Sequence, residues 1–431
     1  MASTTYEVRS AEPEIVKIDK SLRSLRAMRV PHGTITAQGS ATTPPTPSGL
    51  VAGMALRAAL TGFSSMPSSG NADAGEPAGA VWTAWRTWLG EYGRKEAGSM
   101  LDETATPHRV LVTGGAGYIG SHVLHALADA GIPAVTIDNL STGRRAAVPA
   151  SVPLVEGDVG SAELLERVIR DHAVDAVMHF AGSIVVPESV EKPLAYYRNN
   201  TVNSLTLMDA CVRLGVGNIV FSSTAAVYGA PDRVPIDEAT PTAPINPYGT
   251  SKLMTEQMLR DAGAAHGLRS VILRYFNVAG ADAAGRTGQA TPTATHLIKV
   301  ACQALLGRRP ALSIFGTDYD TPDGTCIRDY IHVSDLADAH VLALLHLRRG
   351  GESLTLNCGY GRGASVHEVV RTLEEVSGEK VPATLAPRRP GDPPQLVAKA
   401  DRIRERLGWV PKHDRLDGIV RDALAWERSL T

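Results

Sequence analysis

Cysteine is scarce: four in 431 residues, Cys211, Cys302, Cys326 and Cys358. They are scattered, with no C-x-x-C pair and no His/Cys cluster at zinc spacing, so neither a disulfide framework nor a metal is expected. A reducing, cytoplasmic setting follows as the default. Long apolar runs are missing too, and none reaches the roughly 20 residues of a membrane-spanning helix. The N-terminus has no basic-then-apolar leader, and Glu7, Glu12 and Glu14 argue against a transit peptide. Charge of one sign is not in excess, and a net charge of -2 gives no reason to invoke nucleic acid or an anionic membrane as partner. What is present is 43% hydrophobic and 20% charged residues, enough for a sizeable globular core.

Residues 1–107 read differently from the rest. "GTITAQGSATTPPTPSGLVAG" and "SSMPSSGNADAGEPAGA" bury too little apolar surface to offset chain entropy, so a disordered extension is expected. Trp82, Trp85 and Trp88 recur every third residue and would line one side of a short helix without an evident role. Met100, just ahead of the first core strand, offers an alternative start.

From Arg109 onward short apolar runs alternate with helical patterns: "RVLVTG", then "GYIGSHVLHALADAG", then "PAVTID". Continuous apolar runs joined by helices mean strands buried on both faces, hence an α/β, Rossmann-type doubly wound parallel sheet over residues 108–280. After residue 280 the rhythm loosens around links such as "PRRPGDPP". A smaller α/β substrate-binding part is expected over 281–431, partly interleaved with the first.

"VLVTGGAGYIGSH" places Gly114, Gly117 and Gly120 between a strand and a helix. Missing side chains let the backbone approach a pyrophosphate, and the helix N-terminus offers free N–H groups. The next strand ends in Asp138, where a carboxylate accepts a ribose 2′-hydroxyl and repels a 2′-phosphate; NAD is therefore expected rather than NADP. Arg144 and Arg145 weaken that exclusion somewhat. Asp158 follows a third strand and is expected beside the adenine.

In "INPYGTSKLMTEQML", Tyr248 and Lys252 lie one helical turn apart on one face. A free phenol titrates at about 10, and an adjacent ammonium can lower that by roughly 1–3 units. With NAD beside it, Tyr248 could take a proton from a substrate hydroxyl as the carbon beneath gives up hydride. Thr224, in "FSSTAAVYG" at a strand end, is the expected third member, its hydroxyl bonding the substrate oxygen.

The glycine loop, "HFAG", "FSSTAAVYG", "YGTSKLMTEQ" and "RYFN" resemble the extended short-chain dehydrogenase/reductase superfamily. "GGAGYIGSH", "IDNLS", "AYYRNN", "RDYIHVSDLADAH" and "LGW" look most like its UDP-glucose 4-epimerases, from about Arg109 to Trp426. The resemblance implies reversible oxidation at C4 of a UDP-sugar, with rotation of a 4-keto intermediate. It implies cofactor contacts from Gly114, Gly117, Tyr118, Ile119, Gly120, Asp138, Asn139, Asp158, Val159, Phe180, Ala181, Gly182, Asn199, Tyr248, Lys252 and Tyr275. It implies substrate contacts from Thr224, Asn277, His296, Arg328, Arg389 and Asp392, the arginines pairing with diphosphate oxygens. A homodimer is implied as well. Two positions depart from the pattern: Ile184 stands where the family has a cofactor-contacting lysine, and His296 where an asparagine is common.

Related enzymes that dehydrate carry Asp-Glu after the threonine; here Ala225 and Ala226 leave no proton shuttle for elimination. The alternatives kept are 4-epimerisation of another UDP-sugar (a pentose, glucuronate or N-acetylhexosamine) and a non-catalytic NAD-binding regulator. Leu356 and Cys358 are expected to line the sugar pocket.

Overall fold

The computed structural model describes residues 6–9, 15–18, 108–291, 295–389 and 392–430. Near the N-terminus β1 (Tyr6–Arg9) pairs antiparallel with β2 (Ile15–Ile18). The valine, isoleucine and tyrosine content of these eight residues favours strand. The remainder of residues 1–107, including the tryptophan helix, lies outside the described residues.

Seven apolar runs further on form one parallel sheet: β3 (Arg109–Thr113), β4 (Ala134–Asp138), β5 (Leu154–Glu156), β6 (Val174–His179), β7 (Asn218–Thr224), β8 (Arg269–Tyr275) and β12 (Leu354–Cys358). Their order is β5-β4-β3-β6-β7-β8-β12. The chain winds outward in both directions from the β3/β6 junction, as the doubly wound expectation requires. Such a reversal opens a crevice at the carboxyl ends of the strands, where ligands of these folds bind.

Period-two alternation divides the sheet's side chains between two cores. Val110, Val112, Val220 and Leu273 pack under α1 (Tyr118–Asp129) and α8 (Val333–Arg348). Leu111, Val177, Ile219 and Phe221 pack under α2 (Ala162–Asp171), α5 (Asn203–Leu214) and α6 (Pro247–His266). Between them run α3 (Val186–Glu191), α4 (Pro193–Tyr196) and a π-helical turn at Tyr197–Val202.

A second set of strands forms the other wall of the crevice. β11 (Ile327–His332) pairs with β9 (Asn277–Ala279), β13 (Gly363–Ser365) and β15 (Gln395–Leu396), while β10 (Leu312–Phe315) pairs with β14 (Ala383–Ala386). Helices α7 (Leu297–Leu305), α9 (Val366–Ser377), α10 (Asp401–Leu407) and α11 (Leu416–Ser429) complete this part. β12 leaves it to join the first sheet beside β8. Among the described residues no helix is long and apolar enough to cross a membrane.

Candidate active site

The glycine loop links β3 to α1. Gly114 has φ +73°, and a Cβ there would meet the Ala181 nitrogen at 2.7 Å; at Gly120 a Cβ would meet the Gly114 oxygen at 2.2 Å. Gly117 differs, because its missing side chain faces only the Gly114 oxygen, at 3.2 Å. No side chain caps α1, so the first-turn N–H groups stay available to an anion. A cleft of about 450 Å³ opens here, lined in part by Ala116, Gly117, Tyr118, Thr142 and Arg144. This cradle fits a dinucleotide diphosphate.

Asp138 ends β4 with both oxygens held: Oδ2 accepts the Ala116 N–H at 2.9 Å and Oδ1 the Leu140 N–H at 2.8 Å. Asn139 donates to Asp158 Oδ2 at 3.3 Å, and Asn203 donates to Asp158 Oδ1 at 3.1 Å and to Asn199 Oδ1 at 3.3 Å. Asn199 donates onward to Ser183 Oγ at 2.9 Å. One polar chain thus links Asn139, Asp158 and Asn199, with Val159 buried beside it. Asn199 lies in the π-helical turn, an irregularity often found at functional sites. Arg145 pairs with Glu156 at 2.6 Å.

Thr224, Tyr248 and Lys252 meet at the carboxyl end of β7. Helix α6 starts at Asn246, whose side chain accepts the Gly249 N–H at 2.9 Å, with Pro247 preset for the first turn. That start places Tyr248 in the first turn and Lys252 one turn on, both buried. Lys252 Nζ donates to the Ser222 carbonyl at 3.0 Å and lies 5.0 Å over the Phe221 ring. The hydroxyls of Ser222 and Tyr275 are hydrogen-bonded, which fixes Tyr275 at the same strand end. Phe180, Ala181 and Gly182 follow β6, and a Cβ on Gly182 would lie 3.6 Å from Lys252 Nζ.

The electrostatics correct one expectation. Burial is the largest influence on Tyr248 and raises its pKa, while a hydrogen bond with Thr224 pulls it down. The phenol is therefore not lowered by Lys252 as the spacing suggested, because desolvation penalises the phenolate more than its neighbours favour it. Burial also lowers Lys252 to about 8.

Across the crevice, Arg328 and Arg389 converge on Asp392. Arg328 is buried, with Nη2 3.7 Å from Asp392 Oδ1, and Arg389 Nε donates to Oδ2 at 2.8 Å. Arg389 also lies 5.0 Å over the ring of Phe315. Asn277, on β9, and His296, ahead of α7, line a second cleft of about 470 Å³ with Tyr118, Tyr330 and Trp426. His296 Nδ1 lies 3.5 Å from Gln289 Nε2, and burial lowers its pKa, which keeps the imidazole neutral.

Sequence reasoning did not single out Ser183, which accepts from Asn199, Phe315, which lies under Arg389, or Tyr330, which lines the second cleft. The "FAGS" run ahead of Ile184 was the available signal for Ser183. Leu356 and Cys358 do not face an open pocket, since both are fully buried in the core along β12. Ile184 is half exposed. Among the described residues, His332, His413 and Asp422 lie close enough together to hold a metal. The Ser334 N–H donates to His332 Nδ1 at 3.0 Å, which leaves the proton on Nε2 to be donated to Asp422 at 3.1 Å. That pattern is a hydrogen-bonded pair.

Residues 110–359 match the NAD dependent epimerase/dehydratase family. The chain is 86% identical over 331 residues to a UDP-glucose 4-epimerase of Azospirillum brasilense, covering 77% of this chain and 95% of that one. Among solved structures, UDP-glucose 4-epimerase from Brucella ovis in complex with NAD superposes with a TM-score of 0.72 at 48% identity, covering 74% and 98% of the two chains. UDP-glucose 4-epimerase from Bifidobacterium longum in complex with NAD⁺ and UDP gives 0.72 at 39% identity, covering 75% and 98%. With a glycine cradle, an acidic strand end and a buried Thr-Tyr-Lys group in one crevice, the chain belongs to the NAD dependent epimerase/dehydratase family.

Proposed function

We propose that the chain catalyses the reversible, NAD-dependent 4-epimerisation of a UDP-hexose, UDP-galactose to UDP-glucose. The observation that carries this reading is the meeting of Thr224, Tyr248 and Lys252 opposite the arginine pair on Asp392. When bound, NAD would supply a reversible hydride acceptor for the sugar C4. Residues 108–280 would hold the cofactor: Gly114, Gly117, Tyr118, Ile119 and Gly120 at the diphosphate, Asp138, Asn139, Asp158 and Val159 at the adenosine. Phe180, Ala181, Gly182, Asn199, Lys252 and Tyr275 would face the nicotinamide half. Residues 281–431, with Asn277, would hold the UDP-sugar through His296, Arg328, Arg389 and Asp392.

Tyr248 exchanges the C4 hydroxyl proton, and Thr224 orients that oxygen. Burial keeps the phenol protonated in the free protein, and the positive nicotinamide ring of bound NAD⁺ would favour the phenolate. Incubation with UDP-galactose and NAD⁺, followed by NMR of the anomeric proton, tests the reading. UDP-glucose must appear at equilibrium, and its absence with NAD bound would refute the assignment.

Val190, Leu194, Val202, Leu205 and Met254 are exposed on α3, α4, the π-helical turn, α5 and α6. An apolar face of this kind suits a second copy of the chain, so we assign a homodimer. The four cysteines are free and buried, which fits a cytoplasmic enzyme.

A further inference from the structure

Glu256 belongs to neither the cofactor groove nor the substrate wall, yet it is fully buried. It follows Lys252 by four residues and Tyr248 by eight, so all three share one face of α6. Its Oε1 accepts from Ser223 Oγ at 2.6 Å and from Arg274 Nε at 2.9 Å. Its Oε2 accepts from Arg274 Nη2 at 2.6 Å and from Arg260 Nη2 at 2.7 Å. Ser223 immediately precedes Thr224 on β7, and Arg274 immediately precedes Tyr275 on β8; the two are register partners. Arg274 continues the network to the Tyr228 hydroxyl at 3.0 Å, and Tyr228 donates to Asn357 on β12 at 2.7 Å.

A buried ion pair is a poor source of net stability, because desolvating both charges offsets most of their attraction. What it supplies is direction. Apolar contacts between a helix and a sheet tolerate small slides, whereas bidentate charge-assisted hydrogen bonds hold only one geometry. Here the bonded atoms belong to the strand bearing Thr224, the strand bearing Tyr275 and the helix bearing Tyr248 and Lys252.

We propose that Glu256, through Ser223 and Arg274, is the positioning residue that sets Tyr248 and Lys252 against Thr224 and the sugar C4. The proposal rests on the epimerase reading for its turnover arm only. A displacement of about 1 Å at a reacting group can cost roughly 100-fold in rate. Glu256→Gln is therefore expected to lower kcat by roughly 10- to 100-fold while KM for UDP-galactose stays within about twofold, because the residues assigned to bind UDP lie on the other wall.

Glu256→Gln strands Arg274 and could cost folding, so Ser223→Ala is the second variant. It removes the tie to β7 and leaves the ion pair whole. Its kcat is expected to fall about three- to tenfold at unchanged KM. The readout independent of turnover is the ultraviolet titration of Tyr248, taken as the protein minus its Tyr248→Phe variant; both changes should move that curve. A lower melting temperature with unaltered kcat and unaltered Tyr248 titration would overturn the proposal. If the unmodified protein does not epimerise UDP-galactose, the function assignment falls, and the titration alone still decides the role of Glu256.

Discussion

Thr224 and Tyr275 are register partners, each the last residue of its strand, on neighbouring parallel strands β7 and β8. Their side chains therefore emerge together at the carboxyl edge of the sheet, where α6 delivers Tyr248. Replacing Tyr248 by Phe removes the proton-transfer group and keeps the ring's packing. Turnover of UDP-galactose should fall by roughly 10²–10⁴-fold. Binding of UDP, measured calorimetrically, should stay within about twofold, since the phenol is not assigned to the diphosphate.

The pH response should follow Lys252. With its pKa lowered to about 8 by burial, the lysine loses its charge above that pH, and kcat should decline there. Lys252→Met should be slow throughout and lack that alkaline limb. The shift also has a stability consequence. Between about pH 8 and the unfolded value of 10.5, the unfolded chain holds the proton that the folded chain has released. Lys252 therefore makes folding more favourable as pH rises through this window, and denaturant titrations of Lys252→Met should lose that contribution.

The arginine pair should act on binding. Arg328→Met and Arg389→Met should each raise KM for UDP-galactose about tenfold or more, the equivalent of about 1.4 kcal/mol, with kcat little altered. Arg328 should show the larger effect, because it is buried and its bonds are better shielded from water.

Ile184 offers a gain of function. It is half exposed, two residues beyond Gly182, which borders Lys252. Ile184→Lys would add a cation beside the cofactor groove. The dissociation constant for NAD, followed by protein fluorescence, should fall by about tenfold, within the range of one charge-assisted hydrogen bond. An unchanged constant would remove this position from the groove.

The apolar helix face should control assembly. Leu205→Glu combined with Met254→Glu places two carboxylates where burial against a second copy would strand them. Sedimentation should show half the mass of the unmodified protein at micromolar concentration.

Local spacing made much of this site readable from the chain. Gly114, Gly117 and Gly120 sit within one loop, and Tyr248 and Lys252 within one turn, so neighbours in sequence are neighbours in space. Asp138 was legible because a strand end is a fixed place in an alternating fold. The ties that needed register were not legible: Glu256 to Ser223 is 33 residues apart, and Tyr228 to Asn357 is 129. The Tyr248 titration was misjudged for a related reason. A spacing of four reveals the ammonium next door but not the degree to which the whole fold shuts out water.

The return of β12 to the first sheet, after the chain has built β9, β10 and β11 of the opposite wall, stitches the two sides of the crevice together. Cutting the chain near residue 280 would strip β8 of one of its two neighbours, β12, and leave each fragment with an open flank. The two walls should consequently melt in a single calorimetric transition, and any opening of the crevice must bend more than one connecting segment at once.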